Sequence, residues 1–160
     1  MMKLCAIAVV LAAIASPAIA QSGSVPVPAE FASAHTLFLS CGGAPLLASR
    51  EKEGVTMLYT SAYHALSSAG HYRLTSTPAD SDITAVISLE DRLSGVSYGS
   101  SAEADFIQLA VYDTKTHALL WNIDEPVDGA IRKASFQKNI DASVAKIVAD
   151  LNSLAAGKLP

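Results

Sequence analysis

Cysteine is almost absent from this chain of 160 residues, which carries only Cys5 and Cys41. A disulfide framework and a cysteine-rich metal site both need several converging thiols, so both are excluded. Charge is sparse too, with Asp, Glu, Lys and Arg making up 16% of the residues. The eleven basic residues form no stripe, which makes nucleic acid and anionic membrane poor partners. Aromatics reach 6%, with a single tryptophan, Trp121. The four histidines, His35, His64, His71 and His117, build neither H-x-x-H nor H-E-x-x-H. A zinc centre needs three or four converging ligands, and the acids show no EF-hand spacing. No metal and no cofactor is implied, and there is no internal repeat.

The longest apolar run stands at the start. Met1–Ala20 reads MMKLCAIAVVLAAIASPAIA. A short positive start at Lys3, the apolar run, Ser16-Pro17 and a final A-x-A are the marks of a cleaved secretory signal. A membrane span needs about 20 apolar residues, more than this run offers. Cys5 precedes the run, whereas the lipid-bearing cysteine of a bacterial lipoprotein follows it. The expected product is exported, periplasmic or extracellular, without a membrane anchor. Losing Lys3 leaves ten basic against fifteen acidic residues, a net charge of about −5. Cys41 is then the sole thiol. A small buried inert residue is the plainest reading, with a reactive thiol or an intermolecular bridge as alternatives. About 140 remaining residues suit one domain with its own core.

Residues 21–34 (QSGSVPVPAEFASA) read as a Ser/Pro-rich tether ending in one helical turn, and residues 35–157 as a single domain. HTLFLS (35–40) predicts a strand, broken by CGGAP. Over 51–69, Val55, Leu58, Tyr59, Ala62, Leu66 and Ala69 fall on one helical stripe, closed by Gly70. HYRLT (71–75) and ITAVISL (83–89) alternate as strands, separated by the turn STPADSD. Residues 90–104 (EDRLSGVSYGSSAEA) read as a long loop. DFIQLAVY (105–112) and ALLWNI (118–123) flank a turn and predict a hairpin, with Leu119, Trp121 and Ile123 inward. Phe136, Ile140, Val144, Ile147, Val148, Leu151 and Leu154 make one apolar helical face. Ser135 is its expected N-cap and Gly157 its stop.

The order β-α-β-β-β-β-α predicts an α+β two-layer sandwich, a mixed five-stranded sheet with two helices on one face. If Ile107, Leu109 and Val111 face the helices, then Phe106, Ala110 and Tyr112 face away. An uncovered face is normally polar, and a contiguous apolar patch marks a partner or dimer surface. Val86, Phe106, Tyr112 and Leu120 are therefore the expected contact surface, for an envelope protein or a second copy.

GHYRLTSTPADSDITAVISL joins two strands through P-A-D-x-D, and AVYDTKTHALLWNIDEPVDGA joins two through a D-x-K-T turn before Leu-Trp. Both stretches resemble small exported bacterial domains with the TolB amino-terminal-like fold. Related architecture occurs in the curli-secretion lipoprotein, and the nearest resemblance is to an uncharacterised secreted family of soil, acidobacterial type. The resemblance covers about residues 36–154. It implies a non-enzymatic envelope domain that binds protein, and it transfers no catalytic residue. His117 stands where such a turn often has Gly.

The alternative is a small secreted hydrolase using Ser97 or Cys41. Gly95-Val96-Ser97-Tyr98-Gly99 fits the bare G-x-S-x-G pattern, but an elbow needs a strand running into a helix. A nucleophilic Cys41 would need an activating histidine, for which His71 is the candidate. The acid pairs Asp80/Asp82, Glu90/Asp91 and Asp124/Glu125 sit at element ends, where turn formation and solubility explain them.

Overall fold

The computed structural model describes residues 26–42, 51–97, 100–128 and 132–160. A short helix α1 (Ala29–Ser33) precedes β1 (Thr36–Cys41), α2 (Glu51–Ala69) and β2 (Arg73–Thr75). A 3-10 turn at Pro78–Asp80 leads to β3 (Ile83–Ser97), β4 (Ser100–Asp113), β5 (Leu119–Val127) and α3 (Lys133–Ala155). The five strands form one sheet in the order β2-β1-β3-β4-β5. β1 is parallel to both β2 and β3, while β3–β4 and β4–β5 are antiparallel. This is the α+β sandwich with a mixed five-stranded sheet that the alternation and helical periods predict.

The core lies between the helices and the odd-numbered side of β3 and β4. Ile83, Ala85 and Ile87 on β3 and Ile107, Leu109 and Val111 on β4 are buried. Leu58, Ala62 and Leu66 of α2 and Ile140, Val144, Ile147, Leu151 and Leu154 of α3 close over them. Each fully buried aliphatic side chain contributes roughly 1.5–3 kcal/mol of transfer free energy, which makes this layer the main source of stability. The α2 stripe is narrower than its spacing suggests: Tyr59 is 37% exposed, and Ala69 is exposed as well.

Four boundaries differ from the sequence reading. Phe31 is fully buried and Ala34 nearly so, so the packed unit begins at α1 and residues 29–34 are not tether. Residues 90–97 and 100–104 are no loop: β3 and β4 run through them as paired strands. Their Ser, Gly and Glu content hid the pairing, because it lacks the β-branched alternation that marks a strand. α3 starts at Lys133, with Arg132 rather than Ser135 at the cap position. Its early turns are tied to β5 instead: Asn139 Nδ2 donates to the Asp128 carbonyl (2.7 Å) and Ser143 Oγ to the Pro126 carbonyl (2.7 Å). Lys146 pairs with Glu125 at 3.4 Å. Finally, Leu119 is 57% exposed, not inward, while Leu120 packs against the core. The register shifts here, with Val111 opposite Trp121 but Tyr112 opposite Leu119. The extra residue of this irregularity reverses the alternation.

Other signals hold. Gly157 adopts φ 70° after α3. Its N–H donates to the Leu154 carbonyl and that of Lys158 to the Ser153 carbonyl, the paired bonds of a Schellman stop. His117 takes φ 58° in the β4–β5 turn. There Asp113 Oδ1 accepts from Thr116 N (2.6 Å) and Thr116 Oγ1 (2.7 Å). The chain thus accepts a left-handed histidine where glycine would be unstrained.

Asp82 fastens the start of the sheet. Its Oδ2 accepts from His35 N (2.9 Å), Thr36 N (3.0 Å) and Thr36 Oγ1 (2.8 Å). In return its N–H donates to Thr36 Oγ1 (2.8 Å). The Thr114 N–H donates to the Asp82 carbonyl at 3.2 Å, which brings in the β4–β5 turn. These bonds set the parallel register of β1 and β3. The backbone N–H of His35 and the hydroxyl of Thr36, as donors to the carboxylate, hold Asp82 below the usual carboxylate range. A lowered folded-state value means the stabilisation is fully present above the ordinary carboxylate pKa and fades as pH falls through the lowered one. Asp82→Ala is expected to cost about 1 kcal/mol in urea unfolding at neutral pH, a modest figure because the group is largely solvated. The gap between wild type and variant should close below about pH 4.

Candidate functional site

The even-numbered side of β3 and β4 faces away from the helices. Strand register arranges its residues in rows. Phe38, Thr84, Tyr112 and Leu119 form one row, and Ser40, Val86, Ala110 and Asn122 the next. Ser88, Gln108 and Asp124 follow, then Glu90, Phe106 and Pro126. Of the sequence-predicted contact residues, Val86, Phe106 and Tyr112 are on this face and half-buried. Leu120 is turned toward the core, and Leu119 takes its place outside.

The apolar residues divide into two clusters. Phe38, Val86, Tyr112 and Leu119 lie near one end of the sheet. Phe106 and Pro126 lie at the other, about 20 Å away at the rise of a strand. The row between is polar: Gln108 Nε2 donates to Asp124 Oδ1 (3.0 Å), and Asn122 Nδ2 donates to the same oxygen (3.2 Å). Gly42 lies close to this row, where an added Cβ would meet Ser88 Cβ at 3.2 Å. Any side chain there would press on β3.

A groove of about 810 Å³ at the β2 edge joins Phe38 to Tyr59 and Tyr63 of α2, with Arg73, Thr75 and Asp80 on its rim. Tyr63 is 43% exposed and stacks on Tyr59, ring centroids 6.3 Å apart. Sequence reasoning missed this aromatic pair because Tyr59 falls on the helical stripe. Its spacing from Tyr63, one turn along α2, was the available signal.

The groups considered for catalysis are dispersed. Ser97 ends β3 opposite Ser100 of β4, so its strand leads into another strand and not into the helix that an elbow requires. Cys41 ends β1 opposite Ile87 and packs against the core. Burial pushes its thiol pKa up, which favours the unreactive protonated form. β2 pairs Arg73 with Thr36, at the far end of β1 from Cys41. Five residues of strand separate Thr36 from Cys41, about 17 Å, so His71 cannot serve that thiol. His71 instead packs edge-on against Tyr72 at 4.6 Å. Ser61 Oγ donates to Asp141 Oδ1 (2.5 Å), and Gln137 Nε2 donates to both Ser61 Oγ (2.9 Å) and Asp141 Oδ1 (2.7 Å). This triangle clamps α2 to α3, and its carboxylate accepts the serine hydrogen bond directly, with no histidine between. Asp124 and Glu125 point to opposite faces of β5, as their partners Gln108 and Lys146 show. Among the described residues no three His, Cys, Asp or Glu side chains converge on a metal-sized site. No described helix is long and apolar enough to cross a membrane.

No family model and no curated protein matches the chain. Solved structures do. The PelC dodecamer from Paraburkholderia phytofirmans is similar with a TM-score of 0.53 and 11% identity, over 79% of this chain and 91% of that one. A DUF4136 family protein from Bacteroides thetaiotaomicron reaches 0.49 with 11% identity, over 81% and 92%. Lipoprotein GNA1162 from Neisseria meningitidis reaches 0.41 with 14% identity, over 72% and 99%. At such identities the likeness to PelC is one of fold.

One expectation concerns the thiol. In the signal-free chain, Cys41 is expected to react with Ellman's reagent at least tenfold more slowly in the native state than in denaturant. Equal rates would mean that the thiol is open and activated.

Proposed function

We propose that this chain is an exported, non-enzymatic domain of the bacterial envelope that works by binding protein, first of all copies of itself. The observation that carries the reading is the one-sided sheet. The described helices pack on the odd-numbered face, while Phe38, Val86, Phe106, Tyr112 and Leu119 stand on the other. A sheet face that the described helices leave uncovered, with this apolar content, has the physical character of a docking surface. The likeness of fold to PelC, described as a dodecamer, supports self-association as the mode. Export rests on the signal at Met1–Ala20. The narrower kinship with TolB amino-terminal-like domains belongs to the proposal and rests on the P-A-D-x-D and D-x-K-T segments.

Phe106→Lys and Tyr112→Lys place a charge on each apolar cluster without touching the core. Both variants are expected to keep the wild-type circular dichroism and melting temperature. They should lose association in light scattering of the purified chain and in pull-downs from envelope extract. Association unchanged by both substitutions in both assays would remove the proposal.

A further inference from the structure

β3 and β4 are 15 and 14 residues long, far longer than their flanking strands can accompany. β1 pairs with β3 only from Ile83 to Ile87, and β5 with β4 only from Asp105 to Tyr112. Beyond these limits the register continues through Arg92–Ala104 and Leu93–Glu103 to Ser94–Ala102, then shifts before Ser97 pairs with Ser100. Among the described residues, this stretch of each strand has only the other for a neighbour. It is a two-stranded arm. Its six residues from Arg92 to Ser97 extend about 20 Å past the sheet. An isolated two-stranded ribbon is marginally stable in water, so an arm of this length calls for a supporting surface.

The arm's register with β4 is unbroken from Ile83–Asp113 to Ser94–Ala102, so no bulge bends it back on its own sheet over that stretch. The edges formed by β2 and β5 are poor sites for strand addition. β2 offers three residues, and β5 carries Pro126 beside Asp124 and Glu125 with an irregularity at its start. Short strands, prolines and charges are what blunt an edge. The outer face, by contrast, offers apolar surface. Its apolar clusters, Phe106 at the root of the arm and Tyr112 with Leu119 at the far end, are separated by about 20 Å, the length of the arm.

We infer that the β3–β4 arm lies along the outer sheet face of a second copy, spanning its two apolar clusters. The arm then gains the support it lacks, and the face gains the cover its own helices do not provide. This inference rests on the self-association proposed above and names the surfaces that meet.

The experiment uses the signal-free chain carrying Cys41→Ala. One preparation adds Ser94→Cys on the arm, another Leu119→Cys on the face, and the two are mixed under mild oxidation. The mixture is expected to form a disulfide dimer at least tenfold faster than a mixture of Ser94→Cys with Lys158→Cys on the tail after α3. Mass spectrometry should find the Ser94–Leu119 peptide pair. In parallel, residues 93–103 are replaced by Asn-Gly, a two-residue hairpin turn, and sedimentation velocity should then give the monomer mass. An oligomeric wild type with no preferential crosslink overturns the arm inference and leaves self-association standing. A wild type that stays monomeric at high concentration overturns both. The crosslink arm uses the full strands, so it decides the question even where the shortened variant does not fold.

Discussion

The constraint on which everything else depends is that two amphipathic helices cover only one face of a five-stranded sheet. Each helix has a single apolar stripe. α3 buries Ile140, Val144, Ile147, Leu151 and Leu154, and α2 buries Leu58, Ala62 and Leu66. Both stripes are spent on the odd-numbered residues of β3 and β4. The polar clamps reinforce the same layer: Ser61–Asp141–Gln137 between the helices, and Asn139, Ser143 and Lys146 from α3 to β5. Among the described residues, no second apolar layer covers the opposite face.

The opposite face is accordingly where the proposed docking surface lies. Its chemistry is mixed: apolar clusters at both ends and a hydrogen-bonded polar row between them. That composition suits a partner that is itself part backbone and part apolar, as a β-arm is. The Asp82 clip matters here indirectly. By tying β1, β3 and the β4–β5 turn together it fixes the rows in which Phe38, Tyr112 and Leu119 stand side by side. Of the groups weighed for catalysis among the described residues, Cys41 packs against the core, Ser97 ends a strand and Ser61 joins the helix clamp.

Much of this was legible in the sequence, for definite reasons. The α3 stripe repeats over five turns, and residues 83–89 and 105–112 alternate strictly, so period alone locates them. Gly70 and Gly157 adopt the positive φ that their positions at helix ends suggested. What was not legible depended on neighbours. Phe31 looks like part of a tether until the core that receives it exists. Residues 90–97 and 100–104 hold only Val96 as a strand-forming side chain, and the partner strand, not local preference, makes them β. The Leu119–Leu120 exchange turns on a register irregularity, which no alternation of a single strand reveals. Val86, Phe106 and Tyr112 followed from period two and were placed correctly on the outer side, whereas Leu120 was lost to that irregularity.

The central claim is that the arm and the outer face are completed by another copy. Amide hydrogen exchange, followed against protein concentration with the mass determined in the same samples, tests it most directly. In the assembled protein, amides of residues 92–97 and 100–104 should exchange as slowly as those of the β3–β4 body. On dilution to the monomer they should approach open-chain rates while α3 stays protected. Full protection of the arm in a sample whose mass is that of a monomer would contradict the account.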